Sequence, residues 1–388
     1  MRSLPLHGTV KIPITRPWFD SEEEKAVIEV LRSGWVAQGK NVAQLEERIA
    51  NFVGRKYAVA VSSGTAALHL AALAAGLGPG DEVLVPALTW ISTINAVECT
   101  GATPVFCDID HTFNIDPEFA KSRITQKTRA MIPVHLFGQS AEMSALMDFS
   151  KEMIVIEDAA CALGAYYRNQ HVGTFGQMGC FSFHPRKSIT TGEGGMLITD
   201  DENDYQTFLQ LRNIGSDGTP LFPDFPVLGY NYRMTDLQAA IGLAQFQKLS
   251  SVLEMRRACA SNYDELIGNS ALKEWLEVPR TTPAGIHSYQ SYVCQIKTGS
   301  HDMEALRSLS EQRNNVIHAL ASDGIETRQG THAPHLLSYY RNKYGFKPTD
   351  YPNALKADWL TIALPIFPQL TRVDQEWVCS RLQAAWQI

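Results

Sequence analysis

The stretch from Cys180 to Thr199 reads CFSFHPRKSITTGEGGMLIT and predicts two strands joined by a glycine-rich turn. The first strand alternates apolar with small polar residues and ends at Pro185, and the turn follows Lys187. A single lysine on a loop is ordinarily a solvated surface group. The neighbours of Lys187 are mostly apolar, small or hydroxylated, however, and desolvation favours the neutral amine that forms Schiff bases. Lys187 is therefore a candidate nucleophile, which needs partners elsewhere in the chain.

The composition is typical of a soluble globular protein. Of the 388 residues, 45% are hydrophobic and 19% are charged, which allows a large core. The net charge of -7 argues against nucleic-acid binding, which needs clustered lysines and arginines. The seven cysteines lack metal-type spacing and are interpreted as reduced thiols, so we expect no metal site. Without a signal-peptide core or an apolar run long enough for a membrane span, the sequence predicts a cytoplasmic protein.

From residue 57 onward, short apolar strands alternate with helices. This alternation predicts an α/β domain with a mainly parallel sheet, in which ligands bind at the carboxyl ends of the strands. Strands are predicted at residues 57–61, 82–85, 104–107, 130–134, 154–156 and 196–199, with helices at 65–75, 90–99, 117–124, 142–151 and 202–212.

A second, smaller unit is predicted after a proline-rich loop at residues 218–226. Thr235 or Asp236 would cap a long helix that continues into residues 250–270. Beyond it, strands are predicted at residues 291–296, 325–328 and 361–364, with helices at 303–322 and 372–386. The sequence thus predicts a large domain over residues 1–245, with an N-terminal arm, and a small C-terminal α/β domain over residues 246–388.

Polar or aromatic residues follow three of the predicted strands. In residues 62–67, SSGTAA, a strand enters a glycine turn and a helix, whose free N–H groups suit an anion such as phosphate; alternatively, Ser63 is a plain helix cap. Trp90 is either a core indole or a flat surface for a ligand. Glu157 and Asp158 close a buried strand, where a charge needs a partner unless the strand tip is solvated.

These features together match one cofactor. Pyridoxal phosphate (PLP) needs a lysine for its aldehyde, an acid opposite its ring nitrogen, donors for its phosphate and a flat group against its ring. A nicotinamide cofactor is disfavoured because the chain lacks the GxGxxG fingerprint. Residues 34–41 nearly fit the phosphate loop of nucleotide triphosphatases, but they follow a helix, and Asn41 replaces the hydroxyl that would hold magnesium.

At this point the sequence resembles the DegT/DnrJ/StrS-type sugar aminotransferases, a branch of the fold-type I (aspartate aminotransferase) PLP enzymes. The resemblance extends from Ile14 through the C-terminal helix. It implies an α/β three-layer sandwich around a large, mainly parallel sheet that binds PLP, plus a smaller C-terminal α/β domain. The matching motifs are SSGTAALHL from Ser62, VPALTWISTINAV from Val85, VIEDAACALG from Val155, FSFHPRKSITTGEGGM from Phe181 and GYNYRMTDLQAAIG from Gly229.

The resemblance also implies roles for individual residues. Lys187 becomes the Schiff-base lysine, Asp158 the partner of the pyridine nitrogen and Trp90 the plate stacked on the ring. Cys161 stands where many relatives carry a glutamine or histidine near the phenolic oxygen of the cofactor, and a thiol is a weak donor there. The phosphate would be held by Gly64, Thr65, Ala66 and Ser182, and by Asn231 of the neighbouring subunit, so that a homodimer with shared active sites is implied.

The activity implied is transfer of an amino group, with glutamate as the donor by family analogy, to a keto-sugar for surface-polysaccharide or amino-sugar biosynthesis. Lys187 is placed to move the proton between the substrate carbon and the cofactor. A PLP- or PMP-dependent sugar dehydratase, an aminotransferase for a keto-sugar acid or cyclitol, and a PLP-binding regulatory protein without turnover remain as alternatives.

Several flanking residues are left open by the sequence. His184 is either structural or part of the wall of the site. For Arg186, outward solvation is favoured over recognition of an anion. Arg233 and Arg328 are weaker candidates for binding a carboxylate or phosphate, and the segment at residues 328–340, with its two histidines His332 and His335, is expected to help select the sugar.

Overall fold

The computed structural model describes residues 11–386 of the chain. The helices are α1 Ser21–Ser33, α2 Lys40–Val53, α3 Gly64–Ala74, α4 Ser92–Glu98, α5 Pro117–Ser122, α6 Met143–Phe149, α7 Glu202–Arg212, α8 Asp236–Gln247, α9 Leu249–Gly268, α10 Met303–Ser322, α11 Ser338–Tyr344, α12 Pro352–Leu360 and α13 Arg372–Trp386. The strands are β1 Tyr57–Val61, β2 Glu82–Pro86, β3 Thr103–Cys107, β4 Thr128–Met131, β5 Ile154–Asp158, β6 Tyr166–Tyr167, β7 Gln170–His171, β8 Met178–Ser182, β9 Gly195–Thr199, β10 Leu276–Glu277, β11 Gly285–Ile286, β12 Tyr292–Ile296 and β13 Thr361–Leu364.

A seven-stranded sheet in the order β1-β9-β8-β5-β4-β2-β3 organises the chain. Strands β8, β5, β4, β2 and β3 pair in parallel, whereas β9 runs antiparallel to both of its neighbours. The predicted mainly parallel sheet is confirmed. Because the ligands of such sheets collect at the carboxyl ends of the strands, one edge of this sheet is where a site is expected.

Alternate side chains of the strands enter two different hydrophobic cores, which makes the sheet the middle layer of a sandwich. Val83, Val85 and Ile156 pack on one face with residues of α3, α4 and α7. Leu84 and Val155 pack on the other face with residues of α2, α5, α6 and α8. The three-layer α/β architecture predicted from the sequence is therefore confirmed.

A third core lies in the C-terminal part of the chain. It packs α9, α10 and α13 around the antiparallel sheet β10-β12-β13. The buried Arg256 of α9 donates to the carbonyls of Tyr289, Gln290 and Ile366, which ties that helix to the loops around the small sheet. Within residues 11–386, no helix is long and apolar enough to cross a membrane.

Two sequence-based expectations about this part are wrong. The long helix divides into α8 and α9 at Lys248, whose N–H bonds to Gln245 instead of to the residue four positions back, and no glycine or proline marks the break. Residues 325–328 form no continuous strand. Ile325 bridges Ile12 at one end and Arg328 bridges Ala363 at the other, so the segment divides its pairing between two neighbours.

Candidate active site

The residues that the sequence singles out lie at the carboxyl edge of the large sheet. Strand β1 leads into the turn before α3, β2 leads to Trp90, and β5 ends at Asp158. Ser182 at the end of β8 pairs with Gly195 at the start of β9, so the loop that carries Lys187 is closed at its base on the same edge. The topology thus brings segments from distant parts of the sequence to one place.

The two adjacent carboxylates of β5 point to opposite faces of the sheet. Glu157 is fully buried, contacts His135 Nε2 at 2.8 Å and accepts the N–H groups of Gly173 and Gly176, each at 2.7 Å. Burial alone would raise the pKa of Glu157, but the hydrogen bond from His135 and these amides lower it below its usual value. Glu157 is therefore held as a buried anion by the surrounding loop, and solvation of this strand tip is ruled out.

Asp158 faces the side occupied by α4. Its Oδ2 accepts the hydroxyl of Thr93 at 2.7 Å, and its Oδ1 accepts the N–H of Ala160 at 3.1 Å. Thr93 is itself buried and lies 2.8 Å from the hydroxyl of Thr89. Burial raises the pKa of Asp158, and the Thr93 hydroxyl and the charge of Lys187 act against that rise. A cationic group beside Asp158 would stabilise its ionised form further.

Lys187 lies within contact distance of Cys161. Its Nζ is 3.0 Å from Cys161 Sγ, and its backbone N–H bonds to the carbonyl of His184 at 2.8 Å. Both Lys187 and Cys161 are partly buried. The thiol of Cys161 is thus a neighbour of the amine itself.

The turn after β1 forms a narrow concave surface against β8. A Cβ atom added to Gly64 would lie 2.8 Å from Ser182 Cβ, so only glycine allows this approach. The Oγ of Ser63 accepts the Ala66 N–H at 3.1 Å, so the helix-cap interpretation of Ser63 is correct. The N–H groups of Gly64 and Thr65 donate to no acceptor within residues 11–386, and they remain available to an anion.

Trp90 and Asn231 lie at the surface of the chain. The indole of Trp90 is 60% exposed and its ring centroid is 5.9 Å from that of His332, so the core-indole interpretation is wrong. Asn231 is exposed and bridges Asn213, and within residues 11–386 no hydrogen bond joins its side chain to the other predicted site residues. The structure therefore brings together the turn, Asp158, Cys161, Ser182 and Lys187, but leaves Asn231 outside that group.

The residues that flank Lys187 differ in their environments. His184 Nδ1 accepts the Arg186 N–H at 3.2 Å, which gives this histidine a structural part in the turn. Arg233 donates to the side chain of Asn213. Arg186 is half-buried, and burial lowers its pKa below that of a solvated arginine. The outward solvation favoured by the sequence is therefore wrong for Arg186.

Comparison with known proteins shows the family to which the chain is similar. The DegT/DnrJ/EryC1/StrS aminotransferase family matches residues 17–383. The chain belongs to this family. It is 37% identical to the spore coat polysaccharide biosynthesis protein SpsC of Bacillus subtilis, over 94% of each chain. It is 38% identical to the GDP-perosamine synthase of Caulobacter vibrioides, over 85% of this chain and 87% of the relative.

A solved structure of the same kind is also similar over nearly the whole chain. The sugar aminotransferase Spr1654 of Streptococcus pneumoniae, in its PLP form, superposes with a TM-score of 0.89 at 30% identity, covering 97% of this chain and 98% of that one. The same protein has also been solved in a PMP form, with a TM-score of 0.89 at 29% identity. The DegT family is PLP-dependent, and this chain is a PLP-dependent aminotransferase.

The residues present fit this cofactor on structural grounds. The cradle between Gly64 and Ser182 excludes a Cβ and exposes amides that match a phosphate. The buried Asp158 matches a protonated ring nitrogen, and Lys187 reaches the same edge of the sheet. Across the described part of the chain, no cluster of three or more histidines, cysteines or acidic residues forms a metal site.

Sequence reasoning missed Thr93, Thr89 and His135. The first two belong to the motif that was quoted only for Trp90, and their spacing of four residues would place both hydroxyls on one side of a helical turn. His135 carries no local signal, because its partner Glu157 is 22 residues away in the sequence. These three residues support the two carboxylates at the end of β5.

We predict that Glu157→Gln lowers stability by about 3–5 kcal/mol near neutral pH, because it leaves His135 and several amides without their buried anion. Glu157 has a lowered pKa in the folded protein, so its contribution is complete above its unfolded pKa and is lost as the pH falls through its folded pKa. The difference in the free energy of unfolding between Glu157→Gln and the wild type, measured in urea, should therefore become smaller below about pH 4.5. Glu152→Gln, at an exposed position, is the control. A difference in the free energy of unfolding that is the same at every pH would contradict the prediction.

We also predict that Thr93→Val weakens PLP binding about tenfold, because Asp158 loses a buried donor worth about 1–2 kcal/mol. Without this hydrogen bond, the pKa of Asp158 rises further, so the loss in affinity should be larger at low pH, where the carboxyl group is protonated. Titration of the apoenzyme with PLP across a pH series measures both effects. Thr93→Ser should restore affinity, whereas Thr100→Val, which removes a hydroxyl that is hydrogen-bonded only to the nearby backbone of Val97 and Ala102, should leave it unchanged.

Proposed function

We propose that this protein transfers an amino group from L-glutamate to a nucleotide-linked keto-sugar, for surface-polysaccharide or amino-sugar biosynthesis. The similarity to a spore coat polysaccharide protein and to a GDP-perosamine synthase supports a sugar as the acceptor. The observation that carries the proposal is the amine of Lys187, which lies at the same strand edge as the buried carboxylate of Asp158.

Each site residue receives a role in this proposal. When bound, PLP supplies an aldehyde that takes up the amino group and a ring that withdraws electrons from the reacting carbon. Asp158, which accepts the hydroxyl of Thr93, would hold a proton on the ring nitrogen. Lys187 would hold the aldehyde, and its amine, once free, would move a proton at the substrate carbon. Trp90 would pack against the ring, Cys161 lies beside Lys187, and Gly64, Thr65, Ala66 and Ser182 would hold the phosphate.

The proposal includes a homodimer with shared active sites. Residues 221–228, in the loop between α7 and α8, expose large apolar side chains. The exposed fractions are 89% for Leu221, 88% for Phe222 and 85% for Leu228. Trp35 and Trp90 are also exposed. An apolar surface of this kind is typical of protein interfaces, and Asn231 adjoins it in the sequence. We propose that Asn231 reaches the phosphate site of the partner subunit.

The location and domain division complete the proposal. All seven cysteines are free thiols, which supports a reducing compartment, and we propose the cytoplasm. We also propose that residues 1–245 form the PLP-binding domain and residues 246–388 the small domain. The break between α8 and α9 at Lys248 and the separate core around β12 support this boundary.

The half-reaction with an amino acid tests the activity. Purified protein loaded with PLP should show a visible absorption band that L-glutamate bleaches, and PMP should be recovered. Lys187→Ala should lose the adduct that borohydride traps in the wild type, because no amine remains to bind the aldehyde. If no amino acid bleaches the band, the dehydratase or a regulatory protein without turnover replaces the proposed function. Screening keto-sugars with the PMP-loaded enzyme then identifies the acceptor.

Mixed dimers test the shared site. Lys187→Ala and Asn231→Asp are each expected to inactivate, the latter because it sets a negative charge against the phosphate. After unfolding and refolding as a mixture, the two variants should regain about a quarter of wild-type activity, since half of the dimers are mixed and each has one intact site. If both residues act within one subunit, every site in the mixture carries a defect and no activity returns.

A further inference from the structure

Helix α4, which carries Thr93, is too short to fix its own orientation. It has seven residues, and within the described part of the chain no side chain caps its N-terminus. A helix of this length is marginal in water without packing partners. Its apolar residues Ile94, Ala96 and Val97 are buried in the core on that face of the large sheet, but apolar burial is non-directional. The direction of the Thr93 hydroxyl therefore depends on the polar contacts of α4.

The strongest of these contacts come from α11. The carboxylate of Glu98, the last residue of α4, accepts the hydroxyls of Tyr339 at 2.7 Å and Tyr344 at 2.6 Å and the amine of Lys343 at 2.9 Å. Burial alone would raise the pKa of Glu98, but the hydrogen bonds from Tyr344, Lys343 and Tyr339 lower it below its usual value. Glu98 is thus an anion bound by three residues of one helix, and we call these four residues the α4–α11 cluster.

The same C-terminal segment holds α4 at two further points. Asn95, three residues before the end of α4, accepts the hydroxyl of the buried Tyr340. Ahead of the helix, the N–H of Thr89 donates to the carbonyl of His332 at 3.1 Å. Both ends of α4 are therefore attached to the segment that carries α11.

We propose that Glu98 is a positioning residue for the cofactor, which holds the hydroxyl of Thr93 on Asp158 by anchoring α4 to α11. Thr93 lies between the two attachments and donates to Asp158 Oδ2 at 2.7 Å. A hydrogen bond weakens steeply as its distance and angle depart from the optimum, so a small displacement of α4 would weaken this one. The inference rests on the proposed role of Asp158 at the ring nitrogen. The alternative is that the α4–α11 cluster only stabilises the fold.

A double-mutant cycle on PLP affinity distinguishes these two roles. Apoenzyme of the wild type, Glu98→Ala, Thr93→Val and the double variant is titrated with PLP at several pH values. Glu98→Ala should weaken binding about threefold or more on its own, but should have no further effect in the Thr93→Val background, because the contact through which it acts is already lost. The loss should grow as the pH falls, since a displaced Thr93 hydroxyl leaves the pKa of Asp158 higher.

Two milder variants remain informative if Glu98→Ala does not fold. Tyr344→Phe removes one hydroxyl of the α4–α11 cluster and should show a smaller loss of PLP affinity. Glu98→Gln keeps an acceptor but not the charge opposite Lys343, and should lie between the wild type and Glu98→Ala. In the matched control Glu265→Ala, the lost carboxylate also joins two helices, since it accepts Arg372 Nη1 at 3.0 Å and Nη2 at 2.9 Å between α9 and α13; PLP affinity should stay unchanged.

The outcomes separate failure of this inference from failure of the proposed function. An equal loss for Glu98→Ala in both backgrounds, or no loss in the wild-type background, overturns the positioning role alone. Wild-type affinity in Thr93→Val overturns it together with the role of Asp158. These titrations use neither an amino donor nor a sugar, so a failed half-reaction with L-glutamate would contradict the proposed function and leave the inference in place. Circular dichroism and the thermal midpoint show whether each variant is folded.

Discussion

The burial of a carboxylate at the end of β5 is the constraint on which the rest of the site depends. Asp158 is removed from water, and the hydroxyl of Thr93 in α4 supplies the side-chain hydrogen bond to its carboxylate. The same helix begins directly after Trp90, and its Ser92 hydroxyl lies 2.7 Å from Thr65 in the turn before α3. The hydrogen bonds around the carboxylate of Asp158 therefore connect the segments that follow β1 and β2 to the end of β5.

The alternation of side chains along β5 separates a supporting acid from a reactive one. Glu157 is bound from several sides by His135 and the loop at residues 173–176, so its charge is neutralised and unavailable. Asp158, one residue later, has a single side-chain donor and a raised pKa. A shift of one residue in the register of β5 would exchange these two environments, since the side-chain period of a strand is two.

Much of this protein could be predicted from local pattern. The strand at residues 57–61 and the helices at 202–212 and 303–322 have the predicted bounds, because their apolar periodicity and flanking turns are local properties. The site residues belong to motifs that directly follow predicted strands, so their position at the carboxyl edge of the sheet could also be predicted. What failed depends on distant partners: Lys248 interrupts a helix while binding Asp20, and the segment at 325–328 divides its pairing between Ile12 and Ala363. No nearby residue signals these contacts.

The hairpin that carries Lys187 has a consequence for how such a protein can diversify. The pairing of Ser182 with Gly195 closes the loop at its base, and the two strands beyond it are buried in the sheet. Within the loop, Phe183, Ile189, Thr190 and Thr191 are buried, whereas Gly192 and Glu193 are exposed, so substitutions with little effect on folding are confined to the positions outside that buried set. The half-buried Arg186 is one of them, and an exchange there would change the surroundings of Lys187 while both anchors of the loop stay paired.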